Sequence, residues 1–340
     1  MAATIKDVAK QAGVSVKTVS RVLNQEESVR TETRQRVLDV VASLGYTRHQ
    51  TARELRTQRS DTIGFITDEI ATSPFAADVV KGAQDEALKH GRLLLVMNTD
   101  RDRDVEARAV ESMRERRVDG VIYAAMFHRE LDPDPNLRHL PTVLVDGFDA
   151  GGLYDAVVPN EVQGGRLATQ TLIDAGHRRI AFINLDPVAT PVASAGRLQG
   201  YQEALHRAGL PLDSAMVKNA GTDPQQGYVL AHELLALPEP PTAIFAGNDR
   251  TAVGVYCAVY EAGLRIPEDV AVIGFDDQRE IAEHLTPPLT TIALPHLEMG
   301  RQGVRRLLER LNASDEPANT ATNSAHVTHL DCPIVTRASV

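Results

Sequence analysis

The chain has 340 residues, 43% of them hydrophobic and 24% charged, with a formal net charge of −10. That length exceeds one compact core of usual size and predicts two or three folding units. Its two cysteines, Cys257 and Cys332, read as a buried helix and a late strand. They are too far apart to suggest a disulfide framework or a metal-ligand spacing, so neither a metal nor a cofactor is expected.

The charge is uneven. Residues 1–60 hold three lysines and eight arginines against six acids, a surplus of five positive charges that leaves a net −15 for the rest. A basic head on an acidic body suits a polyanionic partner that only the head touches. The N-terminal "MAATIKDVAKQAG" lacks the apolar core of an export signal, and no run approaches the roughly 18 apolar residues of a membrane span. A cytoplasmic protein with no membrane partner is therefore expected.

In the head, Thr4 and Asp7 form a capping-box-like start to a first helix. Ile5, Val8, Ala9 and Ala12 lie on its inner face, and it ends near Gly13. Ser15 then caps a second helix with Val19, Val22 and Leu23 inward and Val16, Lys17, Thr18, Ser20 and Arg21 outward. The turn "AGVS" is short, and a third helix from Thr31 to about Leu44 closes the core before Gly45. Two helices joined this way read as a helix-turn-helix, whose second helix enters the major groove. Arg21 is spaced to donate two bonds to guanine and Val16 to touch a thymine methyl.

From Asp61, apolar runs alternate with helical periods: "TIGFIT", "RLLLVMN", "VDGVIYAA" and "TVLVDG", then "RIAFINL", "AMVKNA", "TAIFAGND" and "VAVIGFDD". Continuous apolar strands between helices predict parallel sheets covered on both faces, in two lobes. The stretch "PPLTTIALPHLEMGRQGVRRLLERL" reads as the chain returning to the first lobe, and "VTHLDCPIVTR" as late strands of the second. The expected division is a head at 1–47, a linker at 48–60 and a body at 61–340. Within the body, lobe 1 covers about 61–159 plus 293–320, and lobe 2 about 160–292 plus 321–340.

Polar residues at the carboxyl ends of parallel strands face the crevice where open α/β sheets bind ligands. Asp146, Asn248, Asp249, Asp276 and Asp277 hold such positions, with Phe75, Phe127 or Phe148 available for a sugar ring. Arg197, read as starting a helix, is placed to donate two parallel bonds. His177 reads as structural, and "RDRDVEAR" and "RERR" as solvated faces. No nucleophile elbow, zincin, phosphate-binding or dinucleotide-binding motif appears, so no enzymatic activity is expected.

The head segment "TIKDVAKQAGVSVKTVSRVLNQEESVRTETRQRVLDVVASLGY" closely resembles the lac repressor (LacI/GalR) family. "DAGHRRIAFI", "GRLQGYQEAL", "PTAIFAGNDR", "IPEDVAVIGFDD" and "PPLTTIALPHLEMG" resemble that family's periplasmic-binding-protein-like effector core. The resemblance implies base reading by Val16, Lys17 and Arg21, with supporting or backbone contacts from Thr4, Thr18, Ser20, Asn24, Thr33 and Tyr46. It implies ligand contacts from Phe75, Asp146, Arg197, Asn248, Asp276 and His296. It also implies a homodimer on a double-stranded operator, released by a small sugar, and parts of the body are similar to the sucrose-type regulators. Other readings stay open: a ligand that strengthens DNA binding, a phosphoprotein partner, a transport binding protein and a sugar-processing enzyme. The chain shows no leucine heptads at its end, so no tetramerising coiled coil is expected.

In "RHQTARELRT", residues 48–57, the resemblance implies a hinge helix in which Leu55, with Ala52 one turn earlier, wedges into the minor groove. Such a wedge costs a few kcal/mol of unstacking and is offset by extra contacts on bent DNA. Arg48 and His49 stand where family members often have Pro and Asn, removing a preset helix start. Leu55→Ala should lower operator affinity far more than nonspecific affinity in filter binding. Equal loss on both DNAs would contradict the wedge.

Overall fold

The computed structural model describes residues 3–23, 26, 28–46, 59–73, 76–313 and 325–340. It divides into two units, Met1–Ser60 and Asp61–Val340. Asn24, Ala52, Leu55 and Phe75, with most of the expected hinge, lie outside the described residues.

In the first unit, helix α1 spans Ile5–Ala12, α2 Val16–Leu23 and α3 Thr31–Ser43. Thr4 caps α1 reciprocally: its N–H donates to Asp7 Oδ2 at 2.9 Å, while Asp7 N–H reaches back to the Thr4 hydroxyl at 3.4 Å. Gly13 ends α1 at φ 65, a left-handed cap. Ser15 Oγ accepts from Thr18 N at 3.0 Å and so opens α2. Val8, Ala12, Val19, Val22 and Val37 are buried, and Tyr46 closes the same cluster from beyond α3.

The second unit carries two sheets, each of six strands among the described residues. The first contains β1 (Thr62–Thr67), β2 (Leu93–Asn98), β3 (Gly120–Glu130), β4 (Thr142–Phe148), β5 (Asp155–Pro159) and β11 (Val327–Leu330), in the order β11-β5-β4-β3-β1-β2. The second contains β6 (Ile180–Leu185), β7 (Val217–Ala220), β8 (Ala243–Ala246), β9 (Ala271–Asp276), β10 (Thr290–Ala293) and β12 (Ile334–Val335), in the order β12-β10-β9-β8-β6-β7. Pairing is parallel throughout except between β10 and β12. Both faces are covered, by α4 (Ala77–Lys89), α5 (Arg103–Glu115) and α11 (His296–Ala313) in the first lobe. In the second lobe the covering helices are α6 (Glu161–Asp174), α7 (Pro191–Arg207), α8 (Pro224–Leu235) and α9 (Asp249–Glu261).

The structure corrects one boundary. Val327–Leu330 does not join the second lobe but extends the first sheet, with Val327 opposite Ala156 on β5. An apolar strand near the chain end shows no preference between two sheets, and here the free edge of β5 decides. The chain therefore passes between lobes three times, after β5, after β10 and after β11. Buried Asp155 fixes the return by accepting from Arg306 Nε at 2.8 Å and His326 N at 2.7 Å, with Arg310 at 3.0 Å. On the same helix Arg305 bonds Glu86 of α4 and holds that carboxyl at about 2. Cys257 is exposed rather than buried, and buried Cys332 lies in the last crossing rather than on a strand. Glu106, from the run read as a solvated face, is also buried, where it accepts from Asp134 N at 2.9 Å.

Three helix pairs pack backbone to backbone through facing glycines. A Cβ on Gly82 would lie 2.0 Å from the Leu297 carbonyl oxygen, and one on Gly300 2.0 Å from that of Val79, where α4 crosses α11. Gly165 and Gly200 do the same between α6 and α7, and Gly227 and Gly254 between α8 and α9. Overpacking a close crossing typically costs 1–3 kcal/mol. Gly254→Ala, whose Cβ would meet the Pro224 carbonyl oxygen at 2.0 Å, should lose about 2 kcal/mol in urea denaturation. An unchanged midpoint would show that this crossing has room to relax.

Candidate functional site

On α2, Val16, Lys17 and Arg21 are exposed, while Thr18 and Ser20 are partly covered. Val16 keeps 42% of its surface exposed. Arg21 lies 3.5 Å from the Glu26 carboxylate, and that pair is itself exposed. These side chains form a basic ridge with an apolar contact at its start. Thr4 serves as the α1 cap, Thr33 is half-buried on α3, and Tyr46 is core.

In the second unit a narrow cleft runs between the lobes. From the first lobe Met126, Phe127, His128 and Asp146 line it, and from the second Glu161, Arg197, Asn248 and Asp276. Asp146 and Asp276 sit at the ends of β4 and β9 with φ of 55 and 111, left-handed values that the flanking sheet must hold in place. Asn248 Oδ1 caps α9 by accepting from Thr251 N at 2.8 Å, leaving its amide nitrogen as the donor.

Arg197 is the centre of the second-lobe wall. It lies well inside α7, not at its start, because Pro191 occupies the first helical turn and extends the helix toward its N-terminus. Its Nε donates to Glu161 Oε2 at 2.8 Å, Nη1 to the Gly247 carbonyl, and Nη2 faces Asp276 Oδ1 at 3.5 Å. The guanidinium carbon lies 3.6 Å from the centroid of the Phe275 ring. Burial raises the Asp276 carboxyl to about 6 despite this partner. Burial also pushes Asp146 well above the carboxylate range, with Glu161 and Asp68 adding to the effect.

Two buried polar atoms in this cleft have no hydrogen-bond partner among the described residues: Asp146 Oδ1 and His128 Nδ1. His128 lies 3.9 Å from Glu161 Oε1 and packs edge-on against Phe148. Burial holds its imidazole below the ordinary value. Buried polar groups are nearly always satisfied, so these two orphans leave bonding capacity unspent on one cleft wall.

The structure therefore brings together Asp146, Arg197, Asn248 and Asp276, as expected. His296 begins α11 in an adjoining groove of about 980 Å³, which meets the cleft at Asp276 and Leu294. Asp249 is turned away from the crevice: it is fully buried and accepts from Thr291 Oγ1 and Gln278 N, both at 2.6 Å. Asp277 pairs with Arg337 at 2.7 Å. His177 contacts Thr242 at 3.0 Å across two loops, in keeping with a structural role. Sequence reasoning missed His128 and Glu161. His128 lies near the end of β3 and obeys the same strand-end rule that found Asp146, whereas Glu161 follows the crossing between lobes after β5 and carries no such local signal. Among the described residues, no group of three or more His, Cys, Asp or Glu is placed to hold a metal ion.

Comparison with known proteins agrees with this layout. A family model described as bacterial regulatory proteins, lacI family, matches residues 4–49, and a periplasmic binding protein-like domain matches residues 169–340. The ribose operon repressor of Escherichia coli K12 is 37% identical over 311 residues, 91% of this chain and 93% of its own. The HTH-type transcriptional repressor PurR of Mannheimia succiniciproducens is 34% identical, covering 94% and 95%. Among solved structures, the lac repressor dimer bound to operator and the anti-inducer ONPF aligns at a TM-score of 0.75 and 27% identity, over 100% and 99% of the chains. The transcriptional regulator CelR–cellobiose complex aligns at 0.67 and 32%, over 99% and 100%.

Removing the Arg197 charge leaves Glu161 and Asp276 buried without compensation. Arg197→Met should destabilise the second unit by about 3–5 kcal/mol in chemical denaturation. The pH dependence has a definite sign. Asp276 rises from 3.8 to about 6 on folding, so its contribution is full below about pH 4 and declines as pH rises through 6. Asp276→Asn should flatten that segment of a Tm-against-pH curve.

Proposed function

Because the chain belongs to the lacI family of bacterial regulatory proteins, a DNA-binding transcriptional repressor with an effector domain rather than an enzyme, we propose that a small sugar in the inter-lobe cleft releases it from its operator. The observation that carries this reading is the pair of orphaned buried atoms, Asp146 Oδ1 and His128 Nδ1, facing Arg197, Asn248 and Asp276. Adjacent hydroxyls of a sugar alternate as donor and acceptor, and this wall offers both, with Phe127 as an apolar face. Carbohydrate-utilisation genes are the regulated class this implies, and the cytoplasm its place of action.

The exposed ridge of Val16, Lys17 and Arg21 reads bases, and a single helix-turn-helix reads too few for genomic specificity. Two heads on a pseudo-palindrome follow, hence a homodimer. The lac repressor dimer on operator supports this assembly. Leu88, Leu93 and Val96 are exposed beside one another's elements at the β2 edge of the first sheet, and they give such a dimer an apolar surface. The sucrose-type branch read from the sequence is not what the relatives above are named for. Sucrose therefore stands in the test set beside ribose and cellobiose.

A ligand that binds only the folded state at 100 times its Kd should stabilise by about 2.7 kcal/mol. Thermal shift against these sugars should give at least one hit, and the same sugar should weaken operator binding in a titration. Tighter operator binding at saturation would reverse the sign and make the sugar a co-repressor. His128→Ala and Asp146→Ala should each abolish the hit while leaving operator affinity unchanged.

A further inference from the structure

We propose that the cleft admits uncharged polyhydroxyl ligands and excludes their phosphorylated forms, so that the regulator reports a sugar before phosphoryl transfer acts on it. The inference rests on the sugar reading above and adds to it the charge state of the effector.

Among the described residues lining the cleft, three are carboxyl-bearing, Asp146, Glu161 and Asp276, and one carries a guanidinium, Arg197. That guanidinium is already committed. Each of its three nitrogens faces a protein oxygen, on Glu161, Gly247 and Asp276, and one face of its plane lies over the Phe275 ring. An incoming phosphate would have to displace one of the two carboxylates from Arg197, leaving it buried beside the anion.

The cations nearby are each paired with a carboxylate, Arg301 of the adjoining groove with Glu298 at 3.8 Å, although the buried Nε atoms of Arg129 and Arg301 have no hydrogen-bond partner among the described residues. Arg129 donates to Asp68 at 3.0 Å, and Arg101 lies 3.6 Å from Asp68 and 3.4 Å from Glu69. Two guanidiniums there are matched by two carboxylates, one of them, Asp68, buried. His128 adds no charge at neutral pH, since burial depresses its imidazole. A phosphate monoester carries about −1.5 to −2 at pH 7, and like charges brought together away from water repel strongly. A hydroxyl meets no such barrier and can donate to the carboxyl oxygens there.

The experiment uses the full-length protein and matched pairs: ribose and ribose 5-phosphate, glucose and glucose 6-phosphate, fructose and fructose 1-phosphate, sucrose and sucrose 6-phosphate. Thermal shift identifies the responding pair and calorimetry gives both affinities. The free sugar should bind at least about 100-fold more tightly than its ester, a difference of about 2.7 kcal/mol. A phosphate ester that binds as well as or better than its free sugar would overturn the inference while leaving the sugar reading intact. Silence from both members of every pair would instead remove the sugar reading, and this inference with it. Glu161→Gln, which removes one carboxylate charge and keeps an acceptor for Arg197, should narrow the ratio. An unchanged ratio would show that the carboxylates do not set the discrimination.

Discussion

The buried guanidinium of Arg197 organises the second lobe and, through it, the cleft. A charge this deep is tolerated only when paired and hydrogen-bonded, and Glu161, the Gly247 carbonyl, Asp276 and the Phe275 face together supply that environment. The four partners come from three places: the start of α6, the residue after β8, and the end of β9, which supplies both Asp276 and Phe275. Their convergence depends on missing side chains. A Cβ on Gly165 would meet the Arg197 backbone at 2.4 Å, one on Gly164 the Phe275 ring at 2.6 Å, and one on Gly196 Glu161 Cβ at 2.6 Å. Three glycines on two helices thus bring an arginine and its counter-ions within reach.

The first lobe presents the opposite condition. Its cleft wall has few internal partners, so Asp146 and His128 are buried with bonding capacity unspent. One wall is satisfied and rigid, while the other is incomplete. A ligand that completed the first-lobe wall would favour the lobe arrangement in which both walls reach it, and only such differential affinity moves a conformational equilibrium. The adjoining groove at His296 lies on the far side of Asp276, so this one carboxylate borders both spaces.

Much of this was legible in the sequence, and the gaps have physical causes. The head was readable helix by helix because capping chemistry and 3.6-residue periodicity are local: Thr4, Gly13 and Ser15 mark its ends, and Val8, Val19 and Val37 its core. The doubled α/β order was readable because parallel strands are continuously apolar. The lobe of Val327–Leu330 was not, since a strand's periodicity does not say which sheet edge is free. Strand-end position found Asp146, Asn248 and Asp276 but also promoted Asp249, whose carboxylate turns inward to Thr291 and Gln278. Side-chain direction at a strand end depends on the next turn. Glu161 was missed for the complementary reason: it follows a crossing between lobes, which has no local signature.

Those crossings join the two lobes of the second unit. The chain passes between lobes after β5, β10 and β11, and two of the three passages border the cleft or its adjoining groove, at Glu161 and at Leu294 to His296. Hinges are a few element-terminal residues that absorb the backbone change when lobes rotate. Here cleft-lining residues and inter-lobe passages nearly coincide. Beyond the second passage α11 runs into the first lobe, locked to α4 by Gly82, Gly300 and the Arg305–Glu86 pair, and to β5 by Asp155. A change at Leu294 to His296 therefore moves a rigid block of the first lobe rather than a loop. That lobe begins at Thr62, directly after the segment that leads from the DNA-reading unit, so the first strand of the block is also the point where the head is tethered.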